Sequence, residues 1–232
     1  MSKKIFFTAA ALITISAAAS AQTNFQTFYD FGRKHVTTTL EGFHADNWGS
    51  TFFFIDYDYN NRDADGTVVS PSGSYFEIAR ALNFWQDSQF APLSLHLEYN
   101  GGLGTGGNMG YCYPVNSAFL AGVDYFLHTP DYKNTLTLQL MFKQFVNLSS
   151  DVPLQLTVVW GCKDIFTLPG LLFSGFFDVW CEGSKAVMLS EPQLWYQVFD
   201  HFNIGSEVEF SYNFAGMEGF QVMPCLGTKW VF

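Results

Sequence analysis

Apolar and polar residues alternate with a period of two along much of this chain. The C-terminal stretch GFQVMPCLGTKWVF shows it best and ends on Phe232. Phe232, Trp230, Thr228, Leu226, Pro224, Val222 and Phe220 make an uncharged face with an aromatic pair at its end. Val231, Lys229, Gly227, Cys225, Met223 and Gln221 make the other face, which holds the charge and the small or polar residues. Side chains of a strand point alternately to its two sides, so the pattern predicts a strand between two different media. Chain ends of soluble domains are usually polar and loose. A long apolar last strand fits a sheet that closes against its own first strand.

The alternation recurs upstream. Leu93, Leu95, Leu97 and Tyr99 oppose Ser94, His96, Glu98 and Asn100. Thr51, Phe53, Ile55, Tyr57 and Tyr59 oppose Asp56, Asp58 and Asn60, and Val208, Phe210 and Tyr212 oppose Glu207, Glu209, Ser211 and Asn213. Strand-like segments bounded by turn residues fall near 24–33, 36–44, 49–60, 74–85, 93–101, 117–128, 134–145, 152–162, 170–181, 186–198, 202–214 and 219–232. An even number of strands puts both termini at one end, as in bacterial outer-membrane barrels. The segments 61–73 and 101–116 are then outer loops, and DNWGS, QDSQFAP, TPDYK and DHF are short inner turns; the very short link around Arg33 to His35 departs from that trend. Pro192 interrupts the tenth segment and predicts a bulge there. The fold class expected is all-β: a closed antiparallel transmembrane β-barrel of about 12 strands.

Composition sharpens this picture. Aromatics make up 19% of the chain, with 26 Phe, while charged residues are 14%. Beyond the N-terminus there is no long uninterrupted apolar run, which excludes a multi-helix membrane protein. A barrel accommodates both facts, because only alternate residues meet lipid. The N-terminus reads as a secretory signal peptide over 1–21: Lys3 and Lys4, an apolar Ile5 to Ile15, then Ala19-Ser20-Ala21. The barrel is assigned to 22–232.

The formal charge is −10, and removal of Lys3 and Lys4 with the leader takes it to −12. Such acidity argues against nucleic acid as a partner. Lining a pore, it favours neutral or cationic solutes over anions. Cys112, Cys162, Cys181 and Cys225 match no metal motif. Cys112 and Cys181 both fall near outer loops, so a bridge between them is one arrangement that export permits.

A charge at the middle of a lipid-facing wall costs about 2–4 kcal/mol for Arg or Lys and less for Asp or Glu, so the charged faces must point inward. Candidate pore-lining residues are Asp56, Asp58, Glu77, His96, Glu98, Asp178, Trp180, Glu191, Glu207, Glu209 and Lys229. Glu41, Asp124 and Gln193 share the inward phase; Arg80 is a further candidate, with the phase of strand four left open. Trp180 is the candidate stacking group for a flat ring, whereas Trp48, Trp85, Trp160, Trp195 and Trp230 are assigned to interface girdles. The alternative is a plugged interior held by salt bridges such as one from Lys229 to a neighbouring Glu. Acids outnumber bases on the inward list, and unpaired carboxylates need water.

Ser94, His96 and Glu98 share one face, yet residues two apart on a strand lie about 6.5–7 Å apart, too far for a nucleophile–base pair unaided. The run Asp56, Asp58, Asn60, Asp63, Asp65 lacks the glycine and glutamate positions of a calcium loop and reads as lumen carboxylates followed by an Asp-Gly turn. No cofactor or metal is expected.

The stretches QTNFQTFYDFG (22–32), NWGSTFFFIDYDYN (47–60), FEIARALNFW (76–85), LHLEYNGGL (95–103), FSGFFDVW (173–180), LSEPQLWY (189–196), IGSEVEFSYNFAG (204–216) and LGTKWVF (226–232) resemble the Tsx-like outer-membrane channel superfamily, most of all a Bacteroidetes branch of it. The resemblance implies a monomeric twelve-stranded barrel with a narrow pore. In the nucleoside channels of that superfamily, aromatic and ionisable lumen residues hold base and sugar, but the matching stretches here are framework and carry no binding position across. The expected partners are the outer-membrane bilayer, small neutral or cationic solutes, and barrel-assembly machinery engaged through the C-terminal strand. The expected function is passive uptake of small solutes, with nucleosides as one candidate. The alternatives are a non-transporting structural or surface-binding barrel and a lipid-modifying barrel enzyme.

Overall fold

The computed structural model describes residues 22–106 and 111–232. The signal peptide predicted over 1–21 lies outside the described residues. The strands are β1 (Gln22–Asp30), β2 (His35–Asp46), β3 (Gly49–Tyr59), β4 (Gly73–Leu82), β5 (Leu93–Gly106), β6 (Ala118–His128), β7 (Asn134–Phe145), β8 (Leu154–Lys163) and β9 (Leu171–Glu182). β10 runs in two pieces, Lys185–Ser190 and Gln193–Phe199, followed by β11 (Phe202–Tyr212) and β12 (Phe220–Val231). Each pairs antiparallel with its sequence neighbours, and β12 pairs with β1 from Asn24↔Val231 to Asp30↔Cys225. The result is a closed 12-strand antiparallel barrel with essentially no helix. Closure removes the exposed strand edges that lipid could not hydrogen-bond.

The segments predicted from alternation coincide with these strands to within a few residues. β5 is the largest departure: it extends to Gly106, and Tyr111–Pro114 folds back on its outer part. A second small ribbon pairs Asn61–Arg62 with Val68–Ser70 in the connection after β3. Both ribbons stand at the end of the barrel away from the termini.

The bulge expected at Pro192 is absent. Ser190↔Phe210 and Gln193↔Glu207 keep one register across it. Pro192 accepts from the Val208 amide at 3.1 Å, and the Glu191 amide donates to Phe176 at 3.2 Å, so only the proline's missing donor is lost from the ladder. Gly175 makes the close approach possible. A side chain there would meet the Glu191 carbonyl at 2.5 Å and the Pro192 Cα at 2.9 Å, and its φ of +154° favours glycine. The register shift on this strand lies instead between Gln197 and Phe199.

Outside, the middle of the wall is aliphatic: Leu40, Ile78, Leu97, Val123, Leu138, Leu140 and Leu156 are all exposed. Aromatic contacts flank that band. Towards the termini stand Trp48 with Phe84 (5.8 Å), Trp160 with Phe173 (5.9 Å), Phe199 with Phe202 (4.9 Å) and His201 with Trp230 (5.8 Å). Towards the other end stand Tyr29 with Phe31 (5.1 Å) and Tyr99 with Phe119 (4.7 Å). An aliphatic band between two aromatic girdles is the outer surface a bilayer requires. Phe232 and Trp230 lie on this face, and Lys229 lies inside.

Candidate solute pathway in the barrel interior

Polar residues enter the interior because every second position of each strand points there. On β1 these are Asn24, Gln26 and Asp30, all buried, between exposed Phe25 and Tyr29. On β5, buried His96 and Asn100 alternate with exposed Leu95 and Leu97. All the predicted pore-lining residues sit on inward positions of their strands. Two groups of them come together.

The first group spans β4, β5, β6, β7, β8 and β9. His96 stands between two carboxylates, with Nδ1 3.0 Å from Asp124 and Nε2 3.1 Å from Glu98. Gln139 donates to the other Asp124 oxygen at 3.1 Å, and Asn100 donates to Glu98 at 3.3 Å. Tyr75 donates to Glu77 at 2.7 Å. Glu77, Glu98, Asp178 and Lys143 are near enough for their charges to act on one another. The Lys143 ammonium donates to Gln155 at 2.7 Å and lies 4.2 Å from the centre of the Trp180 ring.

The second group spans β1, β2, β3, β10 and β11. Arg33, in the β1–β2 turn, reaches inward to Asp30 (2.9 Å) and Glu209 (2.5 Å). Glu209 also accepts from Ser211 at 2.8 Å. Gln193 donates to Glu207 at 2.6 Å. Thr37 and Thr39 donate to Asp58 (2.7 Å) and Asp56 (2.5 Å). Asp56 interacts with Glu207 across the interior, and Glu191 interacts with Glu207, Glu209 and Asp56.

Among the described residues, Arg33, Lys143 and Lys229 are the Lys and Arg side chains facing these carboxylates, so acid is in excess inside the barrel. Excess carboxylate is met by water, by mobile cations or by protonation. Apolar residues fill part of the interior. Trp180, Met141, Phe145, Val187, Leu120 and Ala118 pack together, with Phe214 from the β11–β12 connection against Trp180 at 6.1 Å.

Several expectations change here. Trp180 is inside, but Lys143 and Phe214 cover its ring, so it is not an open stacking platform. Trp195 is not a girdle residue: it is 1% exposed and packs inside against Phe28 at 5.5 Å. It fits because β11 and β12 present Gly205 and Gly227 beneath the two rings. A Cβ at Gly205 would lie 2.4 Å from Trp195, and one at Gly227 2.6 Å from Phe28. Lys229 makes no salt bridge; its ammonium sits 4.2 Å from the Trp195 ring centre. Arg80 faces outward, donating to Thr51 (2.9 Å) and Asp46 (2.8 Å). His96 does reach Glu98 two residues on, because both side chains are long enough to close the strand spacing. Its other partner is Asp124 on the next strand, and Ser94 takes no part. Cys112 and Cys181 are separate free thiols. Asp63 closes its turn by accepting from the amides of Asp65 (3.0 Å) and Thr67 (2.9 Å), as an Asp-Gly turn.

Reading charged residues alone missed Gln139, Gln155, Asn24, Gln26 and Lys143. All lie on the inward phase of strands whose outward phase is apolar, so the period-two rule applied to β1, β7 and β8 marks them.

A closed barrel with an apolar wall, two aromatic girdles and an acidic interior has the fold of the porin-like outer-membrane β-barrels. The chain belongs to the DUF5020 family, a domain of unknown function, whose model matches residues 21–232. Among curated proteins none matches the chain by sequence. Solved structures share the fold at low identity. The KdgM porin is 9% identical with a TM-score of 0.52, covering 91% of this chain and 99% of that one. The same porin in complex with disordered oligogalacturonate gives 10% identity and a TM-score of 0.50, covering 91% of this chain and 99% of that chain. The outer-membrane phospholipase A from Escherichia coli is 11% identical with a TM-score of 0.54, covering 90% of this chain and 92% of its own.

Proposed function

We propose that this protein is a monomeric outer-membrane channel that passes small neutral or cationic solutes passively, with nucleosides as one candidate class. The observation that carries the reading is the placing of Asp56 on β3, Glu191 on β10 and Glu207 and Glu209 on β11 at inward positions, with Arg33 and Lys229 as the cations beside them. Carboxylates from opposite walls form a field that concentrates cations and repels anions. Amides and hydroxyls beside them, such as Gln193, Gln139 and Tyr75, offer hydrogen bonds to sugar hydroxyls and base edges.

The oligogalacturonate complex belongs to a porin of the same fold. The acidic interior here disfavours such a polyanion and supports the opposite charge preference. Kinship of the framework stretches to the Tsx-like channels supports nucleosides within the neutral class. In this reading residues 1–21 are the export signal, and the strand ending in Phe232 engages the assembly machinery.

The phospholipase of similar fold keeps an enzyme reading in view. His96 is held by two carboxylates and an amide, and no hydroxyl or thiol among the described residues is hydrogen-bonded to a histidine ring. That arrangement lacks an activated nucleophile, which favours the channel.

Planar-bilayer recording tests the proposal. Discrete conductance with a reversal potential showing cation preference in a salt gradient is expected, with partial block by added nucleosides. Absence of any conductance sinks the channel and leaves a structural or surface-binding barrel. Cation-selective conductance indifferent to nucleosides keeps the channel and removes that solute class.

A further inference from the structure

A groove of about 610 Å³ opens on the outer face of β1, β2 and β3, at the end of the barrel away from the termini. Tyr29, Val36 and Tyr59 give it an apolar and aromatic floor, and Lys34 and Arg62 supply its basic groups. No carboxylate lines it. That is unusual on a chain with a formal charge of −10.

The turn after β1 divides its two cations. Arg33 goes inward to Asp30 and Glu209, whereas the Lys34 side chain is exposed and makes no ion pair among the described residues. Arg62 is held in place by acceptors that carry no formal charge. It donates to the Lys34 carbonyl (3.0 Å), the Gly66 carbonyl (2.9 Å) and the Asn60 side-chain oxygen (3.2 Å). A guanidinium has five N–H donors, so two remain, and its charge is not neutralised. The other cation at this end, Lys185, is paired with Glu218 at 3.0 Å. His35, next in the chain, turns inward instead, with its Nε2 3.3 Å from Asp58, and leaves the groove to Lys34 and Arg62.

We propose that this groove binds the phosphorylated headgroup of an anionic lipid in the outer leaflet. Lys34 and Arg62 bracket the phosphate, and Tyr29, Val36 and Tyr59 carry the first part of the acyl region down the apolar wall. Arg and Lys are the residues that hold phosphate, Arg as a planar fork and Lys as a point charge. Val68 and Val69, on the second strand of the overhanging ribbon, are exposed, which suits that strand lying against lipid rather than water. The inference rests on the barrel sitting in the outer membrane with this end outward, and not on its conducting anything.

The test uses the purified 22–232 barrel in lipid-free detergent, with bis-phosphorylated lipid A as probe, its dephosphorylated form as one control and inorganic phosphate as another. Binding is read by native mass spectrometry. The phosphorylated form is expected to bind at least tenfold more tightly than the dephosphorylated one. Lys34→Glu is expected to remove that difference while leaving the Arg62 contacts to the ribbon intact. Lys34→Gln with Arg62→Gln is expected to do the same, and Lys185→Gln to leave it unchanged. Equal binding of the two lipid forms, or a preference unaffected by Lys34→Glu, overturns the proposal. Competition by millimolar inorganic phosphate overturns the lipid as occupant and leaves a simple anion site. Each result is independent of conductance.

Discussion

The Lys229 ammonium lies 4.2 Å from the centre of the Trp195 ring, and that ring lies over Gly205 of the adjoining strand. A buried cation, a ring and a residue without a side chain thus form one stack on the inner wall. Trp195→Ala removes a fully buried aromatic and leaves the cation without its π face. The expected cost is about 3–5 kcal/mol for the lost packing, and the cation–π part accounts for about 0.5–2 kcal/mol of comparable contacts. Gly205→Val should be destabilising as well, since a Cβ there would overlap the indole. Urea unfolding in lipid vesicles measures both. A loss below about 1 kcal/mol for Trp195→Ala would mean that the site collapses around the gap or that the stack is not formed.

At the same end of the barrel, Lys133 and Asp164 tie two connections together at 2.6 Å, and the Gly170 amide donates to the second Asp164 oxygen at 2.9 Å. The hydrogen bond from Lys133 holds the Asp164 carboxyl below its ordinary value, and the same contact raises Lys133. A depressed carboxylate stabilises the fold above its unfolded value and loses that contribution as pH falls through the folded one. A raised ammonium contributes below its unfolded value and loses it as pH rises through the folded one. The tie is therefore intact at neutral pH and fails at both extremes. Lys133→Met should return the Asp164 titration towards the ordinary carboxylate range, as followed by NMR of the side-chain carboxyl. Both groups are solvent-exposed, so global stability should change little.

The strands and their sidedness were legible because lipid and lumen impose opposite demands on alternate residues. Leu95 and Leu97 against His96 and Glu98 is enough to orient β5. Trp195 was misplaced because an indole near a strand end satisfies a girdle and a packed interior equally well in sequence. What decides is the glycine pair on the next two strands, Gly205 on β11 and Gly227 on β12. The partners of His96 were half legible: Glu98 shares its strand, but Asp124 depends on the β5–β6 register, which placed Ser94 opposite Asp124 and His96 opposite Gly122. The smooth passage of Pro192 was hidden for a similar reason, since it needs Gly175 on the partner strand. Period-two patterning reports a side chain's face, and cross-strand register reports its neighbours.

If the carboxylates facing one another set ion preference, neutralising them should weaken it in proportion to their place in the interior. Asp56→Asn with Glu207→Gln removes one charge from each side of the facing group. The reversal potential in a tenfold salt gradient should move towards zero, with the single-channel conductance changing less. Asp164→Asn, outside the interior, should leave selectivity as it was. Equal effects from the two variants would show that bulk surface charge, and not the lumen field, governs selectivity.

Adjacent positions on β7 give the sharpest test of sidedness. Leu140 is exposed on the lipid face, and its neighbour Gln139 points inward to Asp124 and His96. Arginine at Leu140 should cost about 2–4 kcal/mol, the price of a cation near the middle of a lipid-facing wall. Arginine at Gln139 meets the Asp124 carboxylate on the polar inner face, so its cost should be well under half of that. Its expected signature is a reduced cation preference in bilayer recording. Unfolding in vesicles of phosphatidylcholine reads the first effect without reference to transport. A cheap Leu140→Arg paired with a costly Gln139→Arg would invert the wall, placing the acidic face against lipid.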